Sequence, residues 1–302
     1  MNYTLGESLL DIIMTNIDQV VARPGGSMLN TAVSLARMSH NVTHITELGD
    51  NAVAIMITRF LKENGVDTSK IKTYPNTNTS VALAFLDAEK KPTYQFVHAY
   101  PITRKLNQPP DFSSSDLLLF GSIYSVSAAI RNEVLNHVLA IKKAGGVLMY
   151  DPNIRHQHHL NDADINHAVM ENFKLAHIIK ASDEDCANIF GYQKPEHYLD
   201  ALTEVNPNAL IFLTLGEKGA VCKLKEYILW MEAIETTIVS TIGAGDAFNA
   251  GIIAEINKQN ITAKNYSRLS ENHLTRLLKA GIQTASKVCA SYDNYINRSG
   301  DE

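Results

Sequence analysis

The chain predicts an α/β domain built on a mostly parallel sheet with helices on both faces. Three observations carry that expectation. From residue 116 onward, short apolar runs at 117–120, 147–150, 177–180 and 210–215 alternate with stretches of helical periodicity such as 128–143. Each run ends in polar or glycine residues: Gly121-Ser122, Asp151-Pro152-Asn153, Ser182 and Gly216. Two glycine turns, at Gly25-Gly26 and Gly243-Ala244-Gly245, lead straight into helical patterns. Ligands of open α/β sheets bind outside the carboxyl ends of the strands, so the polar strand ends mark a site as well as a fold.

In chain order, 3–10 reads as a strand ending near Gly6-Glu7 and Asp11, and 12–21 as an exposed strand or ribbon broken at Arg23-Pro24-Gly25-Gly26. From Ser27, the apolar positions Met28, Leu29, Ala32, Val33, Leu35 and Ala36 recur at helical spacing to about Ser39. A strand at 42–48 closes on Gly49-Asp50, and an amphipathic helix at 52–63 closes on Gly65. Two short strands, 80–86 and 93–97, flank a turn and with 12–21 form a small antiparallel sheet standing off the main body. Past residue 243, helical patterns run through Ile256 and again over 272–290, and the tail from Asn294 is polar. Without an internal repeat or long linker, 1–302 reads as a single domain.

Composition narrows the function classes. The 302 residues are 45% hydrophobic and 20% charged, ordinary for a globular protein, and the net charge of -5 offers no footprint for nucleic acid or an anionic membrane. No apolar run approaches the roughly 20 residues of a membrane helix. The first ten residues lack the basic-then-apolar pattern of a signal peptide. Cys186, Cys222 and Cys289 are odd in number and far apart, reading as reduced, buried thiols of a cytoplasmic protein.

The chemistry concentrates in 240–251. Glycines beside a helix start let backbone N–H groups converge on an anion, with the helix dipole behind them. Asp246, in the first turn, lies too close to that anion to bind it and suits the acceptance of a proton. The same residues also read as a tight turn whose acid helps to cap the helix, and this stretch alone leaves the two readings even. Gly25 and Gly26 admit close approach of a hydroxyl-rich ligand, with Asn30 one turn on, although alone they read first as a turn with Ser27 as N-cap. Asp151-Pro152-Asn153 is turn chemistry, and Arg155 adds a fork for carboxylate or phosphate. Ser182 to Asp185 fits a capping box, compatible with a place in a magnesium–water shell. Thr214, Gly216 and Gly219 read equally as a nucleotide-admitting turn or a hairpin. His156, His158 and His159 read as solvated loop residues, and neither a P-loop nor a dinucleotide fingerprint is present.

Together and in order, these pieces resemble the ribokinase-like, or phosphofructokinase B, carbohydrate kinases. Thr241-x-Gly-Ala-Gly-Asp246 is similar to the signature whose backbone forms an anion hole and whose Asp is the base. Pro24-Gly25-Gly26 through Asn30, with Asp11, is similar to the sugar-binding signature. Gly65-Val66-Asp67-Thr68 matches a family segment ahead of the lid. Thr214, Gly216 and Gly219 match its nucleotide turn, and Asp151 to Arg155 looks most like the fructokinase and 2-keto-3-deoxygluconate kinase branches. The resemblance implies a three-layer α/β/α domain with a β-sheet lid within 12–22 and 80–98, often also a homodimer surface. Three departures stand out: Ser240 replaces the usual Asp before the Thr, Ser182-x-x-Asp185 stands for Asn-x-x-Glu, and the glycine-alanine pair near 291–293 is missing. The first and third touch the family's monovalent-cation loop and leave potassium dependence open.

The resulting expectation is an ATP- and Mg²⁺-dependent kinase phosphorylating a small sugar, most simply fructose. Asp246 is the base, with Gly243, Ala244 and Gly245 as the anion hole. Asp11, Gly25, Gly26, Asn30 and Arg155 would bind sugar, Ser182, Thr214, Gly216 and Gly219 the nucleotide, and Asp185 the metal through water. The alternatives are a 2-keto-3-deoxygluconate or nucleoside kinase of the same fold, or a sensor of sugar or nucleotide with little turnover.

Overall fold

The computed structural model describes residues 1–16, 19–86, 92–154, 163–191 and 194–298. The chain enters at β1 (Asn2–Leu5), then forms a hairpin of β2 (Leu9–Asn16) and β3 (Gln19–Gly25) that leads into α1 (Ser27–Arg37). After β4 (Val42–Leu48), α2 (Ala52–Glu63) and β5 (Ile71–Thr73), the strands β6 (Val81–Leu86) and β7 (Pro92–Val97) rejoin that hairpin. A regular alternation follows: β8 (Leu117–Gly121), α3 (Arg131–Ala144), β9 (Val147–Asp151), α4 (Ala163–Leu175) and β10 (Ile178–Ser182). Next come α5 (Asp183–Phe190), α6 (Pro195–Val205) and β11 (Leu210–Thr214), then β12 (Ala220–Leu224) and β13 (Tyr227–Met231), and finally α7 (Ala244–Lys258) and α8 (Glu271–Cys289).

The main sheet has the order β13-β12-β11-β10-β9-β8-β1-β4-β5. Its pairings are parallel from β5 to β11, and β12 and β13 add an antiparallel edge. Strands β4, β8 and β9 are buried along their whole length, as expected of a parallel sheet covered on both faces. One apolar core joins the sheet to α1, α2, α7 and α8, and a second joins its other face to α3, α4, α5 and α6. The order reverses at β1, where the chain first builds outward through β4 and β5 and then returns on the other side with β8. The crevice outside the carboxyl ends at such a reversal is where ligands of these sheets bind.

Helices α7 and α8 cross at very short range. A Cβ on Gly251 would lie 2.4 Å from the Ala280 carbonyl oxygen, and one on Gly281 would lie 2.7 Å from the Phe248 ring. Only the missing side chains permit that approach.

The small sheet has the order β3-β2-β6-β7. It corrects the purely antiparallel expectation, because β2 and β6 pair in parallel. Between them the chain passes through α1, β4, α2 and β5, a crossover long enough to bring β6 back in the direction of β2. The first strand also stops earlier than its apolar pattern predicts: β1 ends at Leu5, and Leu9 and Leu10 open β2. Pro24 does not break β3, which runs on to Gly25. All three cysteines are free, but Cys289 is half-buried, not buried. No helix among the described residues is long and apolar enough to cross a membrane.

A buried histidine ties β1 to β4. The His44 ring lies 2.7 Å from Thr4 Oγ1 and 2.9 Å from Ser8 Oγ. Burial pushes its pKa down to about 3. The folded protein therefore holds this ring neutral while the unfolded chain protonates it below about pH 6.5. More protons on the unfolded side mean that stability falls as pH drops from about 6.5 toward 3. Urea unfolding at pH 7 and pH 5 should show the wild type losing about 2 kcal/mol more than His44→Gln over that interval. Equal losses would show that His44 does not govern this acid limb.

Candidate active site

Asp246 sits in the first turn of α7, and the N-terminus of α1 grips it. Ser27 Oγ donates to Asp246 Oδ1, Asn30 Nδ2 donates to Oδ2 at 2.8 Å, and Thr31 Oγ1 reaches the Asp246 carbonyl at 3.1 Å. Ser27 is thus the first helical residue and gives its hydroxyl to Asp246; the N-cap position falls to Gly26. That corrects the turn reading, in which Ser27 caps its own helix. Asn30 is buried, and its Oδ1 has no partner among the described residues.

Gly243 takes the N-cap position of α7 with φ of 83°, and a Cβ there would lie 2.1 Å from the Asn294 carbonyl oxygen. The first N–H groups of a helix have no carbonyl one turn behind them, so the turn at Gly243, Ala244 and Gly245 offers donors of the kind an anion takes. Ala244 N–H bends back to the Thr241 carbonyl at a long 3.3 Å. The Ser240 hydroxyl accepts the Ile242 N–H within its own turn, at 3.2 Å. Behind the cradle, Arg23 Nη1 donates to the Tyr292 carbonyl and lies 3.3 Å from the Asp293 carboxylate.

The second glycine turn packs against protein atoms. A Cβ on Gly25 would fall 2.0 Å from Asp11 Oδ2, and one on Gly26, whose φ is 121°, would fall 2.2 Å from the Glu7 carbonyl oxygen. Asp11 and Arg23 face each other across the β2–β3 hairpin. Asp11, Gly25, Gly26 and Asn30 are therefore gathered where the small sheet meets α1. Arg155, with His156, His158 and His159, lies outside the described residues.

A cavity of about 610 Å³ opens beside the cradle. Ser182, Thr214, Gly216, Gly219 and Gly245 line it, bringing the expected nucleotide-binding residues to the same wall as the anion site. Much of the remaining wall is apolar, including Ala233, Ile234, Ile238, Phe248, Ile282 and Ala285. Asp185 completes the capping box with Ser182, accepting from its N–H at 2.8 Å and its hydroxyl at 2.7 Å, while its other oxygen takes the Ile154 N–H at 2.7 Å. Both carboxylate oxygens are thereby hydrogen-bonded, and no group of three or more acidic, histidine or cysteine side chains among the described residues could hold a metal ion.

Sequence reasoning missed the most unusual group here. Lys180, on β10, pairs with Asp151 at 3.1 Å, with only 5% and 1% of the two side chains exposed. Asn249, on α7, donates to the same Asp151 oxygen at 2.6 Å. Burial pushes the Asp151 carboxyl up, against the pull of Lys180. Burial pushes the Lys180 ammonium down, but Asp151, Asp185 and Asp246 outweigh it and keep the amine protonated. A lysine inside a strand buried on both faces was the available signal. The apolar part of the cavity wall gave none, because it joins an irregular segment to one face of α8.

With this geometry in place, the likeness to known proteins is specific. The pattern of the pfkB family carbohydrate kinases matches residues 3–297. Fructokinase from Klebsiella pneumoniae is 28% identical over 83% of this chain and 83% of its own. The structure of Vibrio cholerae fructokinase with fructose, ADP and calcium ion superposes with a TM-score of 0.85 at 21% identity, over 97% of this chain and 94% of that one. Aminoimidazole riboside kinase from Salmonella enterica, with aminoimidazole riboside and an ATP analogue, gives 0.82 at 19% identity, covering 97% and 94%. These structural likenesses speak for the fold.

Gly243 and Gly145 separate two costs. Both are left-handed, with φ of 83° and 78°, but a Cβ on Gly145 would meet only Ser114 Cβ at an ordinary 3.6 Å. Gly145→Ala should lose about 1 kcal/mol from the left-handed backbone alone. Gly243→Ala should lose about 2–4 kcal/mol, because the strand of chain at Asn294 must also move. Equal shifts in urea unfolding would show that the close approach to Asn294 is unimportant.

Proposed function

The chain belongs to the pfkB family of carbohydrate kinases, and we propose that it transfers the γ-phosphate of ATP to a hydroxyl of fructose. The observation that carries this reading is the Asp246 carboxylate, clamped by Ser27 and Asn30 at the mouth of a glycine cradle that opens into a nucleotide-sized cavity. The fructokinases among its relatives supply the sugar.

In the proposed reaction, the fructose hydroxyl lies between Asp246 and the γ-phosphorus. Its O–H bond breaks as the new O–P bond forms, Asp246 takes the proton, and the bond from phosphorus to the β,γ-bridging oxygen breaks to release ADP. Each carboxylate oxygen has two acceptor sites, so Asp246 can hold Ser27 and Asn30 and still receive the substrate hydroxyl. Asn30 Oδ1, buried without a partner among the described residues, is available to a second sugar hydroxyl. The N–H groups of Gly243, Ala244 and Gly245 face the charge that builds on the phosphoryl oxygens, and such transfer needs little beyond positioning and electrostatics. Asp185 would hold Mg²⁺ through water, and the ion would supply positive charge to the ATP phosphates.

The small sheet acts as the lid, closing on the sugar through Asp11 and excluding water as a rival acceptor. It exposes Val20, Val21, Phe85 and Val97, which supports pairing with a second copy of the chain.

Asp246→Asn should keep binding ADP and fructose but lose about 10²–10⁴-fold in kcat. A near-normal kcat would sink the assignment of the base. A coupled ADP-release assay, with and without potassium, should rank fructose above 2-keto-3-deoxygluconate, ribose and adenosine; another order would change the substrate.

A further inference from the structure

The charged side chains around the cavity that would receive a triphosphate are mostly of the wrong sign. Asp183, Glu184, Asp185 and Glu217 face it, and among its described lining residues Lys180 is the only cation. Apart from the backbone N–H groups of the cradle, that ammonium is the one charged group there that attracts a polyanion.

The position of Lys180 is specific. A Cβ on Gly245 would lie 3.0 Å from Lys180 Nζ, so the ammonium forms the floor directly beneath the glycine cradle. Its one recorded hydrogen bond among the described residues goes to Asp151, and an ammonium has three donors. Asp151 Oδ1 and Asn249 Oδ1 are both buried without partners among the described residues. The surrounding carboxylates hold the lysine protonated, and its ammonium has donors beyond the one given to Asp151.

A stabilising role does not explain this arrangement. A buried lysine–carboxylate pair contributes little net stability, because the desolvation of both ions offsets their attraction. The pair makes sense as a charge kept ready for an anion that is present only during turnover. We propose that Lys180 is a catalytic residue that donates to the transferring phosphoryl group, with Asp151 and Asn249 aiming it from below. The cradle N–H groups would then hold the same group from above. This proposal rests on the phosphoryl-transfer reading of the site.

The test compares ADP with β,γ-imido-ATP, two nucleotides that differ by the γ-phosphoryl group. By calorimetry, Lys180→Met should weaken the imido-ATP complex roughly 10- to 100-fold, the scale of a lost charge-assisted hydrogen bond, and change ADP binding less than about threefold. Its kcat should fall at least as far, and Lys180→Arg should recover part of the discrimination. If Lys180→Met fails to fold because Asp151 is left buried without its partner, Lys180→Met/Asp151→Asn removes both charges and allows the same comparison. An unchanged ratio of imido-ATP to ADP affinity in a folded variant overturns the proposal, as does the same loss in Arg155→Met with none in the lysine variants. If the wild type shows the nucleotide preference but phosphorylates no sugar, only the substrate reading falls. If it binds neither nucleotide, both readings fall.

Discussion

One carboxylate joins two helices at their N-terminal ends. Asp246 begins α7, and the donors that hold it, Ser27 and Asn30, begin α1. The arrangement is favourable because both helices present the positive ends of their dipoles to the same negative charge. It also fixes geometry, since the Asp246 backbone is held as well, by Thr31. The cradle at Gly243 to Gly245, the hairpin that delivers Gly25-Gly26 and the cavity beyond α7 are all placed by that junction.

The polar ends of the parallel strands supply the remaining chemistry, each with a different task. Asp151 ends β9, Ser182 ends β10 and Thr214 ends β11, and the sheet lays these ends side by side. Ser182 and Asp185 satisfy each other and pin the segment at Ile154, whereas Asp151 and Lys180 retain unspent bonding capacity. A second buried acid, Glu47 at the end of β4, is saturated by Arg104, Tyr74 and Tyr124, and anchors the chain around 100–105 to the sheet. Saturated acids organise the scaffold, and of the unsaturated pair Lys180 reaches the cavity wall.

The sequence disclosed whatever depends on neighbours along the chain. The alternation of β8 to β11 with helices shows because each strand is buried on both faces and each helix on one. Gly243-Ala244-Gly245-Asp246 shows because the turn, the helix start and the acid are consecutive. The parallel pairing of β2 with β6 does not show, because nothing in either strand specifies a partner some 70 residues away. Gly25 looks like an opening for a ligand, but the group it admits is Asp11, fourteen positions earlier. Lys180 is ordinary in its own strand and becomes unusual only when β9 and α7 bring Asp151 and Asn249 beneath it.

The glycine crossing of α7 and α8 extends the site to residues that never meet a ligand. Phe248 belongs to the cavity wall, and its ring fills the space that Gly281 leaves empty. Any side chain at 281 would push that ring forward into the cavity, or lift α7 and the cradle mounted on it. The face of α8 turned to α7 is thus an adjuster of the cavity from outside its wall. In a survey of substitutions across the chain, position 281 would be scored with the lining residues although it is not one of them.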